Sequence, residues 1–289
     1  MKQLLILSGK GGTGKTTIAS AFIKLADAKA YADCDVDAPN LHLITKWDTK
    51  PQNSDYYGLD KAKINNELCI QCDACRQNCR FDAIKVQNEK YIIDQFACEG
   101  CGVCEFVCPT KAATLYPSKA GELFLYSNKD SVFSTAQLKM GQGTSGLLVT
   151  EVKKQMKSKN IKTDIAIIDG SPGIGCPVIA SLSGVDMVLI VAEPSISGIS
   201  DMERIIDTAL NFDVKIAVCV NKYDTNIANS KKIEEFCNNE GYQFLGYIPF
   251  DFNAVKAINE GKTIVDIDCP SGDATKEVFK KTMDILLEN

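Results

Sequence analysis

Eight of the chain's thirteen cysteines fall between Cys69 and Cys108. They form two runs of one spacing, Cys69-x2-Cys72-x2-Cys75-x3-Cys79 and Cys98-x2-Cys101-x2-Cys104-x3-Cys108-Pro109. In a reducing compartment such crowding marks a metal site rather than a disulfide framework. The single histidine, His42, argues against mixed Cys/His zinc and leaves thiolate as the abundant soft ligand. A second chemistry sits near the start, at Gly9-Lys10-Gly11-Gly12-Thr13-Gly14-Lys15-Thr16-Thr17. Its glycines let the backbone curl so that N–H groups face an anion, and a following helix adds positive potential. In this phosphate-loop pattern Lys15 reaches the β- and γ-phosphates of ATP or ADP, and the Thr16 hydroxyl ligates Mg2+.

The elements that must hold these groups alternate. Lys2 to Ser8 reads as a buried strand, Lys15 to Lys29 as a helix, and Ala30 to Asp33 as a second strand. Thr45 to Gly58 is polar and broken by Pro51. Further strands are expected at Glu122–Tyr126, Ile165–Ile168, Asp186–Ala192, Val214–Val220 and Phe244–Tyr247. Helical patterns separate them at Gly146–Lys157, Ser200–Phe212, Ser230–Asn239, Phe252–Glu260 and Thr275–Leu287. The expected fold is α/β, a doubly wound, mostly parallel sheet, with a small α+β module inserted. The α/β domain takes residues 1–60 and 118–289, and the cysteine module residues 61–117.

A formal net charge of -5 gives no electrostatic footprint for nucleic acid. Apolar runs such as Met187–Ala192 are core-strand length, too short for a bilayer. The first residues lead straight into the glycine loop and do not read as a signal peptide, so a cytoplasmic protein without a membrane partner is expected. The final helix, with its lysines in the middle, reads as packed rather than as an amphipathic anchor.

Lys10, just after the first glycine, makes the loop resemble the deviant phosphate loop of the MinD/ParA and nitrogenase iron protein superfamily. The resemblance implies an ATPase and a homodimer in which Lys10 reaches the other subunit's nucleotide. Asp33-Cys34-Asp35-Val36-Asp37-Ala38-Pro39-Asn40-Leu41 resembles the family's first switch, with Asp35 on the attacking water. Ile167-Ile168-Asp169-Gly170-Ser171-Pro172-Gly173 resembles the second, with Asp169 holding the magnesium shell. Asn221, in Val220-Asn221-Lys222-Tyr223-Asp224, matches the adenine contact, and the loop carrying Pro249 and Asp251 resembles the segment beside the base.

The cysteine runs resemble a duplicated bacterial ferredoxin pattern. That resemblance implies two [4Fe–4S] clusters, one on Cys69, Cys72, Cys75 and Cys108, the other on Cys98, Cys101, Cys104 and Cys79. Paired four-thiolate zinc sites are the alternative, although zinc ribbons usually separate their Cys pairs by a longer loop. Arg80 stands where a proline normally follows the fourth cysteine. Gly141-Gln142-Gly143-Thr144-Ser145-Gly146 resembles a Gly-Glu-x-x-Ser-Gly stretch of MinD-type ATPases that carry such an insert, with Gln142 in place of the acid. Cys34, Cys219 and Cys237 read as small buried hydrophobes, and Cys269 lies in a loop. Cys176, on the second switch, reads first as packing and second as a ligand meeting its copy across a dimer.

Three functions follow from the combination. The first is an ATP-gated electron carrier acting on a redox partner. The second is an iron–sulfur or metallocofactor assembly ATPase, for which a Cys-x-x-Cys near the C-terminus is absent. The third is a redox-sensing positioning or signalling ATPase. Hydrolysis is expected to be slow until a partner or dimer completes the site.

Overall fold

The computed structural model describes residues 1–288. The chain forms two compact units, one of Met1–Asn53, Leu123–Gln137 and the chain from Gly146, the other of Ser54–Glu122 and Leu138–Ser145.

In chain order the elements are β1 (Lys2–Leu7), α1 (Lys15–Leu25), β2 (Ala30–Asp33), β3 (Gln52–Tyr57), β4 (Lys61–Ile64), α2 (Ala74–Gln77), β5 (Ile84–Gln87) and β6 (Lys90–Ile93). There follow α3 (Val103–Phe106), β7 (Ala113–Tyr116), β8 (Lys119–Ser127), β9 (Val132–Leu138), α4 (Ser145–Ser158), β10 (Ile165–Asp169), α5 (Cys176–Leu182) and β11 (Met187–Ala192). The last are α6 (Ile196–Ala209), β12 (Lys215–Asn221), α7 (Ile227–Glu240), β13 (Gln243–Ile248), α8 (Phe252–Asn259) and α9 (Pro270–Leu287).

The first unit is an α/β layer structure. Its sheet runs β13-β12-β11-β1-β10-β2-β9-β8, and the pairs from β13 through β9 are parallel. Strands covered on both faces lose their alternation, so β1 is buried from Leu4 to Leu7 and β11 throughout. β1 is the switch point, because the chain leaves it toward β2 on one side and later builds β11 to β13 on the other. Ligands of such sheets bind beyond the carboxyl end of that strand, which is where Gly9 to Gly14 lies.

Several boundaries differ from the sequence expectation. α1 stops at Leu25, with Asp27 turning left-handed at φ 44°. β9 is a buried strand despite Ser134 and Thr135 inside it, and Ser134 is satisfied by Gln155 Oε1 at 2.8 Å. The polar stretch after Thr45 contains β3. α6 and α7 begin earlier than expected because Ser195 and Asn226 cap them, accepting the N–H groups of Gly198 and Asn229. α9 packs its Phe279 edge-on against Phe22 of α1 at 5.1 Å and buries Val278 and Leu286. Among the described residues no helix is long and apolar enough to cross a membrane.

The second unit has two antiparallel strand pairs, β4 with β7 and β5 with β6. One small buried cluster there is Ala62, Ala83 and Cys98, with Ile93 and Leu115 packed against it, and Ile84, Tyr91, Ala112 and Ala113 are buried as well.

Candidate functional site

Gly12 and Gly14 take φ of +80° and +94°, which turns the chain from β1 into α1. A Cβ on Gly14 would also stand 2.3 Å from Asn221 Nδ2. That amide donates to the Thr13 carbonyl at 2.7 Å, so Asn221 is tied to the loop from the far side. The cleft beside the loop has a volume of about 530 Å³. Lys10 to Thr17 line it together with Asp35, Ser171 and Pro177.

Lys15, buried in the cleft lining, gathers three carboxylates: the half-buried Asp35, which shares the lining, and the buried Asp33 and Asp169, which do not. Lys15 Nζ lies 2.6 Å from Asp169 Oδ1 and 4.0 Å from Asp35 Oδ2. Burial works against the ammonium, yet Asp169, Asp33 and Asp35 outweigh it and hold the Lys15 pKa above its ordinary value. Asp33 is fully buried and accepts the N–H groups of Asp35, Asn40 and Leu41, each at 3.0 Å. Burial first, then repulsion from Asp169, pushes its carboxyl up to about 7. Asp35 is shifted upward by burial too, against the pull of Lys15. The Ser171 hydroxyl donates to the Cys34 carbonyl, joining the segments after β2 and β10.

Two polar atoms in this region lack hydrogen-bond partners among the described residues, Asp169 Oδ2 and Thr13 Oγ1, and both are buried. An orphaned buried carboxylate oxygen is costly unless a cation or its water shell completes it. With Thr16 adjacent, the donor set fits a magnesium-bound phosphate.

Lys10 also lines the cleft, but its Nζ is held by Glu193 at 3.1 Å and by the Ser195 and Ser197 hydroxyls. Lys222, which sequence reasoning passed over, donates to the Gly12 carbonyl at 2.7 Å and faces Glu193 at 3.5 Å. Gly9 does not line the cleft; a Cβ there would lie 2.1 Å from Asp201 Cβ. Pro249 and Asp251 stand outside the cleft lining as well. Asp251 caps α8 and accepts from Ser271, while Phe250 N–H donates to Asp224 at 2.7 Å and so ties the two segments expected around a base. In sequence Asp33 does not stand out, because Asp35 and Asp37 follow it with equal claims. Only its place as the last residue of β2 marks it as the buried one.

In the second unit Cys69, Cys72, Cys75 and Cys108 line one cavity, together with Asp73 and Tyr91. Cys79, Cys98, Cys101 and Cys104 line another, with Ala62 and Leu115. Each cavity thus draws three thiols from one run and one from the other. Backbone geometry repeats between the runs. Gln71 and Gly100, Asp73 and Gly102, Asp82 and Lys111 hold matching places, all with positive φ, and a single helical turn follows each run's second cysteine, α2 and α3.

Backbone N–H groups reach the sulfurs, Ala112 to Cys108 Sγ at 3.2 Å and Ala62 to Cys98 Sγ at 3.5 Å. Burial opposes ionisation of Cys108, but the surrounding N–H groups and the Thr110 hydroxyl overcome it and lower that pKa. Burial lifts the Cys104 thiol to about 11. Among the described residues no three His, Cys, Asp or Glu side chains gather closely enough for a single metal ion, and no disulfide forms. Cys34, Cys219, Cys237 and Cys269 are buried, whereas Cys176 is exposed.

A parallel sheet with a phosphate loop at its switch strand and two aspartates on the loop lysine defines a P-loop nucleotide-binding domain. The chain belongs to the CobQ/CobB/MinD/ParA nucleotide-binding domain family, whose profile matches residues 4–264. An uncharacterised protein of Methanocaldococcus jannaschii is 31% identical over 288 residues, 98% of this chain and 97% of its own. An iron–sulfur cluster carrier protein of Pyrococcus horikoshii is 25% identical over 309 residues, covering 99% of this chain and 87% of its own. The solved structure of the septum site-determining protein MinD with Mg-ADP, also from Pyrococcus horikoshii, superposes with a TM-score of 0.59. It covers 98% of this chain and 96% of its own at 16% identity, a likeness of fold.

Proposed function

We propose that this chain is an iron–sulfur ATPase in which ATP binding and hydrolysis govern electron transfer through two [4Fe–4S] clusters to a partner protein. Cys69, Cys72, Cys75 and Cys108 would hold one cluster and Cys79, Cys98, Cys101 and Cys104 the other, within a ferredoxin-like module of residues 61–117. The observation that carries the reading is that each of these quartets lines its own cavity. Bound there, the clusters would supply one-electron storage. The chain's own part is to provide eight thiolates, N–H donors onto sulfur and a backbone bent twice in the same way.

In the cleft, Lys15 would leave Asp169 for the β- and γ-phosphates, while Thr16 and Asp169 hold the magnesium shell and Asp35 orients water. Lys10 would give up Glu193 to reach a second copy's nucleotide in a homodimer. The test is paramagnetic resonance of the anaerobically reduced protein with and without Mg-ATP. Two cluster signals whose potentials move with nucleotide are expected. Iron-free protein that still binds nucleotide overturns the reading, and potentials indifferent to Mg-ATP overturn the coupling.

A second reading, cluster or metallocofactor assembly, is favoured by the full-length likeness to the carrier protein of Pyrococcus horikoshii. Rapid cluster transfer to an apo-protein supports it; firmly retained iron excludes it.

A further inference from the structure

The two thiol quartets sit in unlike electrostatic surroundings although their backbones repeat. Lys61 opens β4 and Lys90 opens β6, each the same number of residues ahead of Cys69 and Cys98 respectively. Lys90 is exposed, whereas Lys61 is 5% exposed. Each strand contributes to both cavities, Ala62 of β4 and Ile93 of β6 to that of Cys98, Ile64 of β4 and Tyr91 of β6 to that of Cys69. What ties Lys61 to the second run is its own bond, since its buried ammonium donates to the Cys98 carbonyl. Glycine makes the approach possible. Gly100 is left-handed at φ +66°, and a Cβ there would lie 2.0 Å from the Asp60 carbonyl oxygen.

The other quartet has a carboxylate in its lining. Asp73 accepts from Arg76 Nε at 2.7 Å and from the Tyr91 hydroxyl at 2.8 Å. Arg76, 2.5 Å away, compensates its charge. Near the second quartet Glu99, Glu105 and Arg80, which follows Cys79, are all exposed and screened by water. The buried ammonium is the charge least weakened by solvent.

We propose that Lys61 makes the Cys79, Cys98, Cys101 and Cys104 quartet the centre of higher reduction potential, so that a single added electron comes to rest there. The inference rests on the cluster reading above. A fixed positive charge beside a centre that gains negative charge on reduction lowers the free energy of the reduced form, and the backbone duplication leaves no matching ammonium at the first quartet.

The experiment is an anaerobic titration of the full chain with dithionite, followed spectroscopically, on protein of known iron content. Wild type is expected to show two one-electron waves. Lys61→Gln, which keeps an amide donor for the Cys98 carbonyl, should lower the upper wave by about tenfold in the reduction equilibrium, ~59 mV. Lys61→Arg should leave it in place. Waves unmoved in an iron-replete Lys61→Gln protein overturn the proposal. A second arm needs no change at Lys61: Cys101→Ala should abolish the upper wave and Cys72→Ala the lower, and the reverse assignment overturns it. Protein that binds nucleotide but carries no iron defeats the cluster reading itself, whereas full iron with two equal potentials defeats only the role of Lys61.

Discussion

The nucleotide unit and the cysteine unit solve the problem of holding reactive groups in opposite ways. In the first, Lys15, Asp33 and Asp169 are fixed by packing, beneath a sheet whose central strands are fully buried. In the second, the buried apolar residues are fewer and mostly small, Ala62, Ala83, Ala112 and Ala113 with Ile84, Tyr91 and Cys98 among them, and most of the thiols stand at least partly open to solvent. A unit with so little apolar surface to bury gains its stability from cross-links or bound metal. On the proposed cluster reading, the contrast is that one site waits, already built, for its ligand, whereas the other would be completed by it.

The largest expected effect tests that contrast directly. Stripping iron with a chelator should abolish hydrogen-exchange protection across residues 61–116 while β1, β10 and β11 keep theirs, since metal binding there is folding free energy. Equal protection with and without metal would erase the difference between the units. Next, Lys15→Met should reduce ATP turnover by at least ~10²-fold, the scale of removing one preorganised electrostatic partner of the transition state. Iron content should be unchanged, and turnover within a few-fold of wild type would show that Lys15 does not meet the phosphates.

Asp33 gives a pH signature. Its folded pKa of about 7 lies above that of an exposed aspartate. Between about pH 4 and pH 7 the native chain therefore binds more protons than the unfolded one, and stability falls as pH rises through that window. Thermal melts in chelator should show Asp33→Asn flattening this slope; an unchanged slope would place its origin elsewhere. The smallest effect is expected at Tyr31, which stacks on Phe133 at 4.9 Å and accepts from Trp47 Nε1 at 2.7 Å. Tyr31→Phe should cost about 1 kcal/mol by denaturant titration, one buried hydrogen bond, with nucleotide affinity preserved.

Much of this was legible before any coordinates. Buried strands advertise themselves as apolar runs, so β1, β2, β10, β11 and β12 were readable to within a residue or so. β9 was not, because Ser134 interrupts its pattern and only the distant Gln155 makes that burial tolerable. Helix starts were missed where the signal was one capping residue, Ser195 or Asn226, rather than a periodicity. In the cleft, motif order pointed to Lys15, Asp35 and Asp169. The burial of Asp33 and the hold of Glu193 on Lys10 depend on contacts between residues far apart in sequence. The inequality of Lys61 and Lys90 was likewise invisible, since the sequence presents them as equivalents.

The strand order bears on how the molecule is made. Among the described residues β1 pairs with β10 and β11, and β2 with β10 and β9, all of which leave the ribosome after both cysteine runs have been synthesised. The first fifty or so residues must therefore wait as unpaired, sticky segments while the thiols emerge. Chaperone demand should peak during that interval, and the nascent cysteines become available to metal before the phosphate loop has a sheet to stand on.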